Sequence, residues 1–264
     1  MKKNALIMIG LLIILLPHMC FAFDHQHGIW DIIMKKHVVM KDGGHSSRVD
    51  YKGIKNDRAL FNTYLSELSS VSRTEFDSWS KKQQLAFLIN AYNAFTIDLI
   101  LKHYPVKSIK DIGSLFKTPW QIEFIPLFGK TWSLDQIEHQ MIRKKGVFDE
   151  PRIHAALVCA SIGCPALRNV AYTEENIDTE LEQAMINFLS DKSRNRFIAD
   201  KNRFQVSPIF KWYEDDFKLK YGSLLAFFNK YGESLVSRKT DLGIMKHGKS
   251  TIEFLDYDWK LNDL

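Results

Sequence analysis

The chain has 264 residues, of which 45% are hydrophobic and 25% charged, a composition typical of a globular protein with a sizeable core. Its formal net charge is +5, and the basic residues are scattered among acidic ones, which argues against a nucleic-acid-binding surface. The length allows one domain or two small ones, and no linker rich in Pro, Ser or Gly divides the chain.

The N-terminus has the pattern of a leader. Lys2 and Lys3 precede an apolar run over residues 5–16, and Cys20 and Ala22 stand at the positions that a signal peptidase inspects. This pattern predicts a signal peptide over residues 1–22 and a periplasmic or secreted mature protein. The apolar run is shorter than the roughly 20 residues that cross a bilayer, so no stable membrane insertion is expected after cleavage. Lipid attachment at Cys20 is the alternative, which the bulky residues before it disfavour.

The rest of the chain is predicted to form a short N-terminal segment, residues 23–47, and one domain, residues 48–264. Within the segment, residues 24–40 have weak helical periodicity. The domain begins with a predicted strand over residues 48–54 and a predicted helix over residues 56–68, where apolar side chains recur at helical spacing.

The strongest predicted helix is Lys81–His103, which contains neither Gly nor Pro and is followed by Pro105. Apolar residues cover nearly its whole circumference, so it is expected to be buried on both sides. Asn90, Asn93 and Asp98 then need hydrogen-bond partners, because unpaired polar groups in a core are costly. Two interpretations are open: these side chains bind loop backbone, or an asparagine borders a functional site.

The second half of the chain predicts shorter elements. Residues 121–127 and 131–132 are predicted strands on either side of a glycine turn. A helix over residues 133–145 then opens with a serine and a glutamine three residues apart, the spacing of a capping box. Further helices are predicted over residues 174–190 and 213–231, and a last strand over residues 251–259. The fold class is therefore α+β, a helix-rich single domain with a small, mostly antiparallel sheet.

The helix over residues 133–145 carries an unusual acid. Its apolar arc is made up of Leu134, Ile137, Met141 and Ile142. Glu138 falls inside this arc and His139 on its edge. Because a buried carboxylate needs a partner, Glu138 is predicted either to orient an imidazole or to pair with Arg143 or Arg152.

Two cysteines, Cys159 and Cys164, lie five and ten residues after His154. Residues 151–161 fit a strand or a helix, and neither places His154 directly against Cys159. Three roles are open for the cysteines. An oxidising compartment favours a disulfide, whereas thiol catalysis needs an imidazole, from His139 or His154, to activate a thiolate. Metal binding is disfavoured, because this cysteine spacing matches no common zinc pattern.

Two later runs, residues 212–217 and 256–259, mix aromatic and acidic side chains. Such runs line grooves for amines or sugars through stacking and carboxylate contacts. More often they are helix caps and packed aromatics, because aromatic side chains usually pack in the core.

Several blocks resemble those of a known family. Residues 88–94 (LINAYNA), 134–139 (LDQIEH) and 152–165 (RIHAALVCASIGCP) resemble three signature blocks of the domain-of-unknown-function family 547, DUF547. The runs around residues 212–217 and 257–262 resemble its later blocks. The resemblance extends from about residue 56 to the C-terminus.

The resemblance implies a site centred on a cysteine. In the family the position of Cys159 is typically cysteine, whereas that of Cys164 is often serine, which implies that Cys159 is the nucleophile. Relatives can lack a histidine at the position of His154, which favours Glu138 and His139 as the more general pair. The predicted catalytic residues are Cys159, His139, Glu138 and His154, and the predicted substrate-binding residues are Asn90, Tyr92 and Asn93.

These observations predict a periplasmic thiol-dependent hydrolase or acyltransferase that acts on an amide or peptide-like substrate. No metal, cofactor or nucleic acid is expected to take part. The alternative is a non-catalytic periplasmic binding or scaffold domain with a structural Cys159–Cys164 disulfide.

Overall fold

A computed structural model describes residues 22–114, 116–247 and 249–264, so residues 1–21 of the predicted signal peptide lie outside the described residues. The described parts of the chain form a helix-rich α+β fold with three small sheets, which confirms the predicted fold class.

The helices are α1 (Gly28–His37), α2 (Tyr51–Asn56), α3 (Arg58–Ser70), α4 (Arg73–Ser78), α5 (Lys81–His103), α6 (Leu134–Gln136), α7 (Ile177–Ser190), α8 (Ile209–Trp212), α9 (Glu214–Tyr221), α10 (Leu224–Lys230), α11 (Gly232–Leu235) and α12 (Asp241–His247). The strands are β1 (Val38–Lys41), β2 (Ser46–Val49), β3 (Ile125–Leu127), β4 (Lys130–Trp132), β5 (Arg196–Ile198), β6 (Arg203–Val206) and β7 (Thr251–Phe254).

Helix α5 is the centre of the fold and has the predicted bounds. Ser80 begins it with a capping box, in which the Ser80 hydroxyl accepts the N–H of Gln83 and the Gln83 side chain accepts the N–H of Ser80. Every side chain from residue 84 to residue 101 is buried. Among the described residues this helix alone is long and apolar enough to span a bilayer, and it lies wholly inside the protein.

The apolar core has two parts. The larger part surrounds α5 and includes side chains from α1 to α4 and from the β3–β4 hairpin. The smaller part lies in the C-terminal half, between α7, the β5–β6 strands and helices α8 to α11. The candidate active site draws its walls from both parts.

The three sheets are small. Strands β1 and β2 form one antiparallel pair, and β3 and β4 form another at the predicted glycine turn. In the third sheet β5 pairs antiparallel with β6, and β7 joins β6 in parallel. Most of the pairings are therefore antiparallel, as predicted. The C-terminal tail then returns to the centre of the fold, where Leu261 pairs with Ser161 and Asp263 with Val49.

Two predictions for the N-terminal part are only partly confirmed. The predicted strand over residues 48–54 ends early, because the Asp50 side chain accepts the N–H of Gly53 at 2.7 Å and begins α2 there. The weak helical pattern over residues 24–40 corresponds to α1 followed by the strand β1.

Two predictions for the C-terminal part also need correction. The single helix predicted over residues 213–231 is broken, because Gly222 has a φ of 81° that ends α9 and the Ser223 hydroxyl caps α10. The strand predicted over residues 251–259 stops at Phe254, where the chain leaves the sheet. Both errors lie where a local signal interrupts an otherwise continuous pattern.

The aromatic cluster at the start of α5 makes a direct stability test. The fully buried ring of Phe87 packs against those of Phe23, Phe76, Trp79 and Phe128. We expect Phe87→Ala to lower the free energy of unfolding by about 3–5 kcal/mol, because it leaves a cavity in the core. Phe116→Ala is the matched control, since that ring is 92% exposed. Denaturant unfolding measures both, and similar losses in the two variants would contradict the packing described here.

Candidate active site

A cavity of about 230 Å³ lies where the two parts of the core meet. Its lining includes Tyr92, Glu138, His139, His154, Cys159 and Cys164. The structure thus brings all four predicted catalytic residues and one predicted substrate-binding residue to the same cavity. Its volume suits a small molecule or one end of a larger one.

The two cysteines form a pair of free thiols joined by hydrogen bonds. The backbone N–H of Cys159 donates to Cys164 Sγ at 2.9 Å, and the Tyr257 hydroxyl lies 3.0 Å from each sulphur. The Ser161 hydroxyl lies 3.2 Å from Cys159 Sγ. Cys159 is partly exposed, whereas Cys164 is buried. Three fixed groups therefore hold the two sulphurs next to each other.

The two thiols differ in how readily they ionise. Burial raises the pKa of the Cys159 thiol, and the neighbouring Cys164 raises it further. Burial opposes the ionisation of Cys164 as well, but hydrogen bonds from Cys159 and Tyr257 to its sulphur lower the pKa of Cys164. Burial and the two cysteines raise the pKa of Tyr257, so its hydroxyl keeps its proton and can donate it. Hydrogen bonding thus favours the thiolate form at Cys164 over that at Cys159.

The C-terminal tail positions Tyr257 against the loop that carries Cys159 and Cys164. The backbone N–H of Gly163 donates to Asp258 O, and that of Ile162 donates to Lys260 O, both at 2.8 Å. A Cβ at residue 163 would come within 3.0 Å of the Tyr257 ring, so only glycine fits there without displacing that ring. The tyrosine hydroxyl consequently reaches both sulphurs.

Residues 151–161, which the sequence leaves open between strand and helix, begin with a 3₁₀ turn, Pro151–Ala155. The backbone after this turn is held by Asn93 in α5. Asn93 Nδ2 donates to Ala156 O at 2.9 Å, and its Oδ1 accepts the N–H of Val158 at 3.0 Å. Asn93 therefore fixes the chain just before Cys159.

The other polar groups of α5 also bind other parts of the chain. Asn90 Nδ2 donates to Tyr172 O at 2.7 Å, and Asn90 Oδ1 accepts the N–H of Tyr172 at 3.1 Å. Asp98 pairs with Arg58 and Lys102. Both asparagines thus follow the loop-backbone interpretation, and neither belongs to the cavity lining.

His154 is held by a carboxylate that the sequence analysis missed. Its Nε2 lies 2.7 Å from Asp216 Oδ2, and Arg143 donates to both oxygens of the same carboxylate. The His154 ring stacks on Tyr213 with ring centroids 3.8 Å apart. Glu138, which the sequence predicts as the group that orients the imidazole, is therefore not the partner of His154. The mixed aromatic and acidic run over residues 212–217 was the available signal for Asp216.

These contacts set the charge of the imidazole. Burial lowers the pKa of His154, although Asp216 opposes the shift. Partial burial acts against ionisation of Asp216, yet His154 and Arg143 hold the pKa of its carboxyl well below the usual range. At neutral pH a neutral His154 then donates its Nε2–H to Asp216 and keeps a lone pair on Nδ1. Nδ1 has no hydrogen-bond partner among the described residues.

His139 stands on the exposed rim of the cavity, with 43% of its side chain accessible. Arg143 donates to its Nδ1 at 2.5 Å, and its Nε2 lies 3.3 Å from Asp135. Both ring nitrogens are therefore engaged by neighbouring side chains.

The helix that carries Glu138 is not the regular α-helix predicted over residues 133–145. The predicted capping box at its start is confirmed, but after α6 the chain continues as a π-helix, Ile137–Ile142. The wider turn is closed by the N–H of Arg143, which donates to Glu138 O at 2.8 Å. Single π turns of this kind are frequent at functional sites.

Glu138 is 5% exposed, and only one of its two carboxylate oxygens has a clear hydrogen bond. The Tyr92 hydroxyl donates to its Oε2 at 3.1 Å, and burial together with the adjacent Glu138 carboxylate raises the pKa of Tyr213, whereas no hydrogen bond of normal length reaches the buried Oε1 from the described residues. The arginines that the sequence suggests as partners bind elsewhere: Arg143 pairs with Asp216, and Arg152 pairs with two other glutamates. A buried carboxylate oxygen without a partner costs free energy, and Glu138 lines the cavity, so an N–H of a ligand is a candidate partner for it.

Aromatic rings form the remaining wall of the cavity, contributed by Trp120, Trp212, Tyr213, Tyr257 and Trp259. The Trp212 and Trp259 rings stack with centroids 5.8 Å apart. Such rings favour a ligand with an apolar or cationic part. Within the described parts of the chain, no cluster of three or more His, Cys, Asp or Glu side chains could hold a metal ion.

Comparison with known proteins gives one family. No curated protein and no solved structure matches the chain. Residues 76–189 match the model of the family described as "Protein of unknown function, DUF547". The matched region includes α5, Glu138, His154 and both cysteines of the cavity, which supports the resemblance seen in the signature blocks. Residues 76–189 are thus similar to this family, and most of the candidate site lies within them.

Proposed function

We propose that the chain is a thiol-dependent hydrolase or acyltransferase that acts on an amide or peptide-like substrate. The observation that carries this proposal is the convergence of three groups in one cavity. They are a pair of hydrogen-bonded thiols, a buried imidazole oriented by a carboxylate, and a buried carboxylate oxygen without a hydrogen-bond partner among the described residues. The leader residues 1–22 support a periplasmic or secreted location.

In the proposed acylation, Cys159 is the attacking sulphur because it is the more exposed of the pair. Its raised pKa means that a base must remove its proton, and the adjacent Cys164 thiolate is that base. As the bond from Cys159 Sγ to the carbonyl carbon forms, the proton passes to Cys164. When the amide C–N bond breaks, Cys164 returns that proton to the leaving nitrogen.

In the proposed deacylation, His154 is the base. Its Nδ1 takes a proton from water, or from an amine acceptor, as that molecule attacks the thioester carbon. The C–S bond then breaks, the electron pair returns to Cys159 Sγ, and the proton held by His154 passes to that sulphur, which restores the resting thiol and the neutral imidazole. His139 has no such role, because both of its ring nitrogens are engaged.

Glu138 is proposed to bind the substrate. Its unpartnered Oε1 accepts an N–H from the substrate amide or ammonium group, while the aromatic wall packs on the neighbouring atoms. The charge of Glu138 and that of the thiol pair disfavour a carboxylate at this end of the cavity.

The experiment is a screen of aminoacyl and γ-glutamyl p-nitroanilides with the mature protein, read by released nitroaniline and by the mass of the intact protein. We expect turnover together with an acyl adduct on Cys159. An adduct elsewhere, or none with any donor, would favour the non-catalytic binding or scaffold domain.

For any active substrate, Glu138→Gln is expected to raise KM by about tenfold with little change in kcat. The amide keeps the shape of the side chain but removes the charge that binds the substrate N–H. Asp135→Asn, on the cavity rim, is the matched control. An equal KM for wild type and Glu138→Gln would contradict this role.

A further inference from the structure

A second cavity, of about 320 Å³, adjoins the candidate active site and shares Cys164 and Tyr257 with it. Its walls come from β2, from the loop after Cys159, from residues 191–194 and from the tail after β7. Whereas the first cavity is walled by aromatic rings, this one is lined mainly by charged and hydroxyl side chains.

Two of the charged side chains in the wall of this second cavity pair with each other. Arg194 binds Asp191 at 2.7 Å and also donates to the backbone carbonyls of Ile162 and Cys164. These contacts fix the loop that carries Cys164. The pair of Arg194 and Asp191 is therefore a structural part of the cavity, with no net charge to offer a ligand.

The remaining charges have no ionic partner in the described parts of the chain. Arg48 is half-buried, and its guanidinium makes neither a salt bridge nor a side-chain hydrogen bond there. Asp42, Asp256 and Asp258 likewise have no cationic partner within that part. The cavity thus combines one unpaired guanidinium with an excess of unpaired carboxylates.

A buried hydroxyl in the same wall also lacks a partner. Ser47 is 8% exposed, and its Oγ has no hydrogen bond among the described residues. Burying a hydroxyl without a hydrogen bond costs free energy, so such a group in a cavity wall points to a polar ligand.

We infer that this polar cavity binds a small zwitterion of the amino-acid class, with its carboxylate on Arg48 and its ammonium groups on Asp256 and Asp258. The volume lies at the lower end of ligand sites and suits a molecule of this size. Because carboxylates outnumber the guanidinium, a basic amino acid binds more tightly than a neutral one, and an acidic one binds most weakly.

The test is calorimetric titration of the mature protein with L-lysine, glycine and L-glutamate. We expect affinity to fall in that order. Arg48→Gln is expected to weaken the binding of lysine by about tenfold or more, because it removes a charge-assisted hydrogen bond. Arg73→Gln is the matched control, since Arg73 is exposed and pairs with Asp77 in α4.

No heat with lysine up to about 10 mM would overturn the inference, as would equal affinity in wild type and Arg48→Gln. Asp256→Asn changes an exposed side chain and provides the same test if Arg48→Gln does not fold. The measurement requires no turnover, so its result is independent of the proposed thiol chemistry.

Discussion

Replacement of Cys159 by serine is expected to lower acyl-adduct formation by about 10³-fold or more, because the hydroxyl is a far weaker nucleophile than the thiol. The change is nearly isosteric, so the Tyr257 and Ser161 contacts and the fold are expected to persist. The measurement is the rate of adduct formation with an activated acyl donor, followed by intact mass.

Replacement of Cys164 by serine is the matched variant, and a different result is expected. Cys159 remains as a nucleophile, but the thiolate that accepts its proton is absent. In wild type the hydrogen bonds to the Cys164 sulphur lower its pKa, which gives the pair one readily ionised thiol. In Cys164→Ser only Cys159 can ionise, so the rate profile is expected to move to higher pH. If instead Cys164→Ser abolishes acylation and Cys159→Ser retains it, Cys164 is the attacking sulphur.

The second large effect is expected at His154. His154→Gln is predicted to slow deacylation by about 10²–10⁴-fold, so that the acyl adduct accumulates. The glutamine can still hydrogen-bond Asp216 but cannot take a proton. His139→Gln is the matched control and is expected to change the rate little, because both ring nitrogens of His139 are engaged by Arg143 and Asp135 at the rim of the cavity. Pre-steady-state kinetics with mass detection separate the two steps.

The pH dependence of the deacylation rate gives an independent readout of the role of His154 as the base. Because burial lowers the pKa of His154, its base form is present at neutral pH and is lost only as the pH falls through that lowered pKa. The deacylation rate is therefore expected to decline on the acid side, with a midpoint below the ordinary histidine value of about 6.5. A midpoint that is unchanged in His154→Gln, or a large effect of His139→Gln, would contradict the assignment.

Local patterns in the sequence were enough to predict α5, its buried asparagines and the capping box at Ser133. Each depends on neighbours within a few residues, such as the serine caps and the absence of Gly and Pro in α5. The break at Gly222 and the early start of α2 also have local causes, a glycine with positive φ and the Asp50 cap. They were not predicted, because in each case the residues on both sides continue a longer helix or strand pattern.

The parts of the candidate site that the sequence did not predict depend on contacts between distant segments. Asp216 reaches His154 from 62 residues away, and Tyr257 reaches Cys159 from 98 residues away. The π turn that carries Glu138 likewise has no simple periodic signature. Pattern arguments could therefore name the cysteines, histidines and Glu138, but they could not assign each imidazole its partner.

The most direct test of the account is the pH dependence of iodoacetamide alkylation at Cys159 and Cys164 in the mature protein, resolved by peptide mass spectrometry. We predict that one thiol titrates well below the free-cysteine value of about 8.5, and that this ionisation disappears in Cys164→Ser. Two thiols that titrate like free cysteine, or a Cys159–Cys164 disulfide that resists alkylation, would contradict it and favour the non-catalytic domain.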